Sequence, residues 1–403
     1  MGRKKPFALE IKRLPHCNDF VSPGRLLPGR MRKKNAELNQ NVLFSRENRK
    51  KIGKHLHIHE LYCTMVMYSS DASDTMNEEG SHVKKLFSIL IALVLVFSFT
   101  TSLAKEVLTM GTGGTSGTYY AFGSEIATLW NNNLEGYEVA AQPTGASKAN
   151  IIAITDGEFQ LGWSQNDTIS YAYNADPEHF GGETFDGFYA IAALYPEAVQ
   201  LGVAADSDIK NVKDLRDKRV SVGAPGSGTF INAVQVLESA GLTLDDIKRY
   251  DQSFGESSDS FQNMQLDAFF VVAGVPNTGI LTADLKRPVR LLTLDAEQDA
   301  ALKGKYSFYI DVTIPAETYS GLLEDTVVPA ITATLIVSKD LDEELVYNLT
   351  KILFEKKGDI THDKAKELDP EFAVQGIPCP IHPGAARYYA EIGVEVPEAN
   401  LVQ

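Results

Sequence analysis

The chain is poor in the residues that cross-link, ligate metals or span membranes. It has three cysteines in 403 residues. Only Cys379 falls after residue 104, so no internal disulfide can form in that part. His179 and His362 lack the spacing of a metal-ligand pair, so no metal and no cofactor is expected. His382-Pro383-Gly384-Ala385 looks catalytic in isolation, but no Ser or Cys nucleophile motif accompanies it. No paired carboxylates with an evident acid–base role occur, and an enzyme is not expected. There is no repeat at a period of 20–50 residues. The apolar run at 86–99 is 14 residues long, short of the ~20 that a transmembrane helix needs.

That run has the layout of a secretory signal peptide. Lys84-Lys85 form the charged start, and Ser102-Leu103-Ala104 supply small residues for cleavage near Ala104. No Cys lies close enough to accept a lipid. The segment 1–82 that precedes it is basic and irregular, and reads as a misassigned start or a disordered tail. Val83-Lys84-Lys85-Leu86-Phe87 resembles an initiation sequence. Residues 1–104 hold 17 of the 38 Lys+Arg and 9 of the 53 Asp+Glu, which leaves 21 basic against 44 acidic residues downstream. A mature charge near −23 excludes binding to nucleic acid or to an anionic membrane through bulk charge. An anionic ligand would have to be held by local dipoles.

After residue 104 the chain alternates strand and helix signals. Strands are expected at 106–110, 137–142, 159–164, 188–194, 199–204, 219–223, 266–272 and 289–294. Helices are expected at 119–131, 146–156 and 230–240. Such alternation argues for an α/β fold with mainly parallel sheets.

One device occurs twice. Met110-Gly111-Thr112-Gly113-Gly114-Thr115-Ser116-Gly117-Thr118-Tyr119 joins a strand to a helix, and so does Val222-Gly223-Ala224-Pro225-Gly226-Ser227-Gly228-Thr229-Phe230. Glycines let backbone approach a ligand closely. A helix start offers unpaired N–H groups and the positive end of a dipole, which favour a carboxylate or phosphate. Neither copy has the Lys of a phosphate-binding P-loop, and the first lacks the third glycine of a dinucleotide fingerprint. One such turn is ordinary loop chemistry; two, one in each half, are better explained by a cleft pinched from both sides.

The stretches GTGGTSGTYYAFG, QPTGASKANI, GWSQNDTISYAY, AALYPEAVQLGV, VKDLRDKRVSVGAPGSGTF, AGVPNTGI and IHPGAARYYAEIG cover 107–393. In combination they resemble the TAXI family of solute-binding proteins, which serve TRAP transporters. The resemblance implies a type II periplasmic-binding fold of two α/β lobes, capture of glutamate, glutamine or another small carboxylate, and delivery to TRAP membrane subunits. The lobes are expected at 105–200 with 296–403, and at 201–295. Hinge crossings are expected near 200–204, 291–295 and 333–337.

Gly113, Gly114, Thr115 and Tyr119 match the family's first ligand loop. Thr144 and Ser147 flank a second helix start. Gln165 and Asp167 follow a strand, where open α/β sheets place ligands. Asp167 either meets a ligand ammonium or caps the next helix. Ser227, Gly228 and Thr229 form the second pincer, and Pro276 a turn at the cleft rim. Lys148 either faces solvent or pairs with a second ligand carboxylate. The expected function is a periplasmic solute receptor; a ligand sensor with a membrane signalling partner and an enzyme on the same fold are the alternatives.

Overall fold

A computed structural model describes residues 105–402 of the protein. The expected signal segment and the extension before it lie outside those residues.

The chain starts with β1 (Glu106–Gly111), α1 (Thr118–Asn133), β2 (Tyr137–Gln142), α2 (Ser147–Thr155), β3 (Leu161–Gln165), α3 (Asn166–Tyr173) and the short α4 (Pro177–Phe180). Next comes β4 (Phe188–Ala204), 17 residues long. A second run follows: β5 (Arg219–Ser221), α5 (Gly228–Ser239), β6 (Lys248–Tyr250), α6 (Phe254–Gln262), β7 (Ala268–Ala273), α7 (Thr278–Asp284), β8 (Val289–Leu292), α8 (Ala296–Lys305) and β9 (Ile310–Ile314). The chain returns along β10 (Thr326–Ser338) and ends in α9 (Glu343–Glu355), α10 (Pro370–Ala373) and α11 (Pro383–Glu391).

Strand order shows two copies of one plan. In the first, β2-β1-β3 are parallel and β10 lies antiparallel beside β3. In the second, β6-β5-β7 are parallel and β4 lies antiparallel beside β7. This is a two-lobed α/β fold. Apolar burial divides in the same way. One core draws on Leu108, Phe122, Trp163, Tyr195, Leu335, Leu349 and Tyr389. The second lobe has a core on each face of its sheet, around Val203, Leu237 and Phe270 on one side and Phe261, Phe269 and Val289 on the other. Burying large apolar side chains contributes ~1.5–3 kcal/mol apiece, so each lobe has its own driving force.

The strands expected at 188–194 and 199–204 are a single strand. Pro196 and Glu197 interrupt the apolar pattern, but the pairing continues as Pro196 with Thr332 and Glu197 with Ile331. β4 changes core between Tyr195 and Val199, and β10 changes between Ile331 and Ala333. The crossings therefore sit at 195–199 and 331–333, upstream of the expected 200–204 and 333–337. The stretch 291–295 is not a crossing, because β8 pairs with β4 inside the second lobe. Residues 296–331 also belong there rather than with the first lobe: Leu302 and Tyr309 join one of its cores, and Ile314, Tyr319 and Val328 the other.

Candidate functional site

The twin plan brings four helix N-termini to the line where the lobes meet. α1 follows β1 and α2 follows β2 in the first lobe, while α5 follows β5 and α6 follows β6 in the second. Between them lies a cavity of about 70 Å³, space for roughly five water-sized groups. The wall is built by backbone and hydroxyls at Gly113, Gly114, Gly117, Thr118, Thr144 and Ser147 from one side. Ser227, Gly228, Thr229, Ser253 and Phe254 close it from the other. Gln165, Tyr119 and Glu197 complete the polar part, and no Lys, Arg or His lines it.

Close approach explains the glycines. A Cβ on Gly228 would lie 1.6 Å from Gln165 Oε1 of the opposite lobe. Gly223, with φ of +97°, takes a backbone conformation that L side chains rarely adopt. On the first lobe, Phe254 of the second packs 3.6 Å from where a Gly117 Cβ would be.

The helix starts differ in how they are capped. Gly117 before α1 and Ala146 before α2 make no side-chain cap. Ala146 has φ of 68° and ψ of −141°, a sparsely populated conformation that costs about 1–3 kcal/mol and tends to persist where a site over-determines it. Thr144 fixes that entry: its Oγ1 accepts from Ala146 N–H at 2.9 Å and lies 2.7 Å from Asn150 Oδ1. The Asn150 amide in turn donates to the Thr112 and Trp163 carbonyls at 2.7 and 2.8 Å. Across the cleft, Ser227 Oγ accepts from Phe230 N–H at 3.2 Å and donates to the Ala224 carbonyl. Ser253 caps α6 in a reciprocal box with Glu256.

Several expected residues are in the wall: Gly113, Gly114, Tyr119, Thr144, Ser147, Gln165, Ser227, Gly228 and Thr229. Thr115 is not. A turn closed by Gly117 N–H donating to the Gly114 carbonyl at 2.8 Å leaves Thr115 exposed at its corner, and Thr118 supplies the hydroxyl at the cavity. Asp167 is fully buried but behind the wall. One of its oxygens takes bonds from the Thr168 N–H and hydroxyl, and the other accepts from Asn232 Nδ2 of the second lobe at 2.8 Å. Burial pushes its carboxyl above the usual range, against those bonds. It therefore joins the lobes instead of facing a ligand. Pro276 is exposed and outside the wall. Lys148 turns away from the cavity: its ammonium donates to the His179 carbonyl and lies 5.1 Å from the Phe180 ring centroid, while its backbone N–H donates to the Gly226 carbonyl across the cleft at 3.2 Å.

Glu197 escaped the sequence reading of the site. It is 2 % exposed and takes a hydrogen bond from the Tyr119 hydroxyl at 2.6 Å on Oε2. Burial raises its carboxyl to about 8, with the Tyr119 bond opposing and the Asp167 charge adding. Burial likewise pushes the Tyr119 phenol well up. A carboxylate inside the apolar strand AALYPEAVQLGV is itself a signal, since lone acids are rarely buried without a task. Ser253 and Phe254 had no such signal: β6 before them is three exposed residues, and no glycine marks the turn. His382 caps α11, its Nδ1 accepting from Gly384 N–H at 3.2 Å.

Solved structures of similar outline include the periplasmic aliphatic sulphonate binding protein SsuA from Escherichia coli. The match is 17% identical over 73% of this chain and 81% of that one, with a TM-score of 0.41. The alkanesulfonate-binding protein SsuA from Xanthomonas axonopodis pv. citri, bound to MOPS, is 17% identical over 71% and 85%, at 0.41. The substrate binding protein of an amino acid ABC transporter is 15% identical over 64% and 96%, at 0.39. The model of the NMT1-like family matches residues 110–393, most of the chain, from within β1 to beyond α11, and the protein belongs to that family.

Proposed function

We propose that this protein is an extracytoplasmic solute receptor of the TAXI type, which binds a small carboxylate between its lobes and delivers it to TRAP-type membrane subunits. The observation that carries the reading is the convergence of four helix N-termini on a small cavity without a cationic side chain. Each helix end favours an anion by ~0.3–1 kcal/mol, and each charge-assisted hydrogen bond adds ~1.5–3 kcal/mol. Four to six such contacts, less the ordering they require, reach a micromolar Kd, ~−8 kcal/mol. A glutamate- or glutamine-like amino acid or a dicarboxylate has the acceptors this wall calls for.

Gly113, Gly114, Tyr119, Thr144, Ser147, Gln165, Ser227, Gly228 and Thr229 are the proposed ligand contacts, with Thr118 in the place expected of Thr115. Export through the apolar run at 86–99 fits this role. No helix among the described residues is long and apolar enough to cross a membrane. Lobe closure would form the surface that the membrane partner reads.

A thermal-shift panel tests the proposal, because a specific ligand stabilises the native state. It should hold amino acids, dicarboxylates, monocarboxylates, sulfonates, sugars and nucleosides. A rise in melting temperature confined to anions is the expected result. A rise with uncharged sugars or nucleosides alone would remove the carboxylate assignment.

A further inference from the structure

Helix ends are not the cavity's only polar feature. The wall also holds two buried acceptors. Glu197 is a carboxyl group 2 % exposed, the sole acidic side chain in the wall. Gln165, also 2 % exposed, has its amide oxygen Oε1 buried without a hydrogen-bond partner. A buried acceptor left unpaired costs about 1–3 kcal/mol, so the Gln165 oxygen calls for a donor, and Glu197, which takes the Tyr119 hydroxyl on Oε2, presents its carboxyl in the same wall. The helix N-termini call for an acceptor. One ligand meets both demands if it carries an anionic group at one end and a protonated nitrogen at the other.

We infer that Glu197, with the Gln165 amide oxygen, is the specificity-determining receptor for a protonated nitrogen on the ligand, and that capture displaces a proton from Glu197. This inference rests on the reading of the cavity as the ligand site and deepens it.

The surroundings of Glu197 support the proton step. From α1, Tyr119 donates its hydroxyl. From β4 itself, the Tyr195 phenol lies close enough to interact. From α3, the buried Asp167 adds negative potential. The Gln165 side chain and the Lys364 charge lower the Glu197 carboxyl; Lys364 sits 5.3 Å from the Tyr195 ring centroid and is paired with Glu367 at 2.5 Å. From β7, only Val272 and Ala273 reach the wall. Nothing there compensates a carboxylate fully, and burial raises the Glu197 carboxyl to about 8, which favours its protonated form at neutral pH. A ligand ammonium reverses the balance, since an opposite charge within ~4–6 Å favours the ionised form. Binding therefore releases the proton, and affinity falls as the pH drops below the pKa of the free site.

Matched pairs of probes test this: L-glutamate with glutarate, L-alanine with propionate, and taurine with ethanesulfonate. Each pair differs in the ammonium alone. Calorimetry in two buffers of different ionisation heat gives affinity and protons released together. The nitrogen-bearing member of a binding pair should be tighter by at least 100-fold. It should release on the order of one proton at pH 7 and weaken about tenfold at pH 6. Glu197→Gln should bring the two members within about threefold and abolish the proton release. If the partner without nitrogen binds as tightly, or no proton is released, the inference falls and the carboxylate reading stands. If neither member of any pair binds, both fall. Should Glu197→Gln fail to fold, the wild-type comparison and proton count decide alone.

Discussion

The first lobe meets the cavity with helix starts that no side chain of their own caps, at Gly117 and Ala146. The second lobe meets it with starts already satisfied, by Ser227 on Phe230 and by Ser253 in a box with Glu256. The topology is the same, yet the N–H groups are spent differently. Uncapped N–H groups gain most from an anion, so on the proposed reading the first lobe would hold the ligand. The self-capped second lobe would then add closure, dipole and exclusion of water. Twin plans do not make twin roles.

The largest test of this division is Gly228→Ala. Its methyl would fall on Gln165 of the first lobe, so closure is blocked while the folds of both lobes remain. Calorimetric affinity should drop by 100-fold or more with little change in ligand-free melting. A wild-type Kd would show that the lobes need not meet at Gln165. Thr144→Val comes next. It removes the bond that fixes the strained Ala146 and should weaken binding about 30-fold, with ~1 kcal/mol of stability lost. If binding is kept, the uncapped α2 start is not a ligand contact.

Asn232→Leu cuts the tie between α5 and Asp167. It also removes the bond to Tyr309 within the second lobe; ligand release followed by stopped flow should quicken about tenfold, with the association rate unchanged. A change confined to association would contradict the division. Ser227→Ala is the smallest. Its hydroxyl is occupied by Ala224 and Phe230, so it should cost ~1 kcal/mol in denaturant melts and only a few-fold in affinity. Adding Thr229→Ala should bring the loss to about tenfold. A larger loss from Ser227→Ala than from Thr144→Val would reverse the assignment of holding and closing lobes.

The difference between the lobes also explains what could be read from sequence. Glycine-rich turns were legible because close approach dictates composition, as at Gly228 against Gln165. The choice of Thr118 over Thr115 was not, because one residue's position in a turn decides which hydroxyl faces inward. The α6 start was hidden by a strand too short and too exposed to show alternation. Asp167 had the chemistry of a ligand group, but whether Asn232 reaches it depends on lobe packing that no local pattern encodes. The crossings were blurred by Pro196, which reads as a break and is tolerated where the strands pass from one core to the other. Glu197 beside it was legible in principle, as a charge in a buried apolar strand.

The paired crossings at 195–199 and 331–333 also order the folding of the chain. The second lobe is one continuous stretch, and its sheet closes without residues from outside it. The first lobe is split around it, and β10, α9 and α11 arrive only after some 130 residues of the other lobe. Joining the two pieces as free coil would carry a loop-closure entropy that grows with that length. Once the second lobe has folded, it brings the ends of the loop side by side, with Tyr195 opposite Ala333. The continuous lobe would thus be the template on which the divided lobe is assembled.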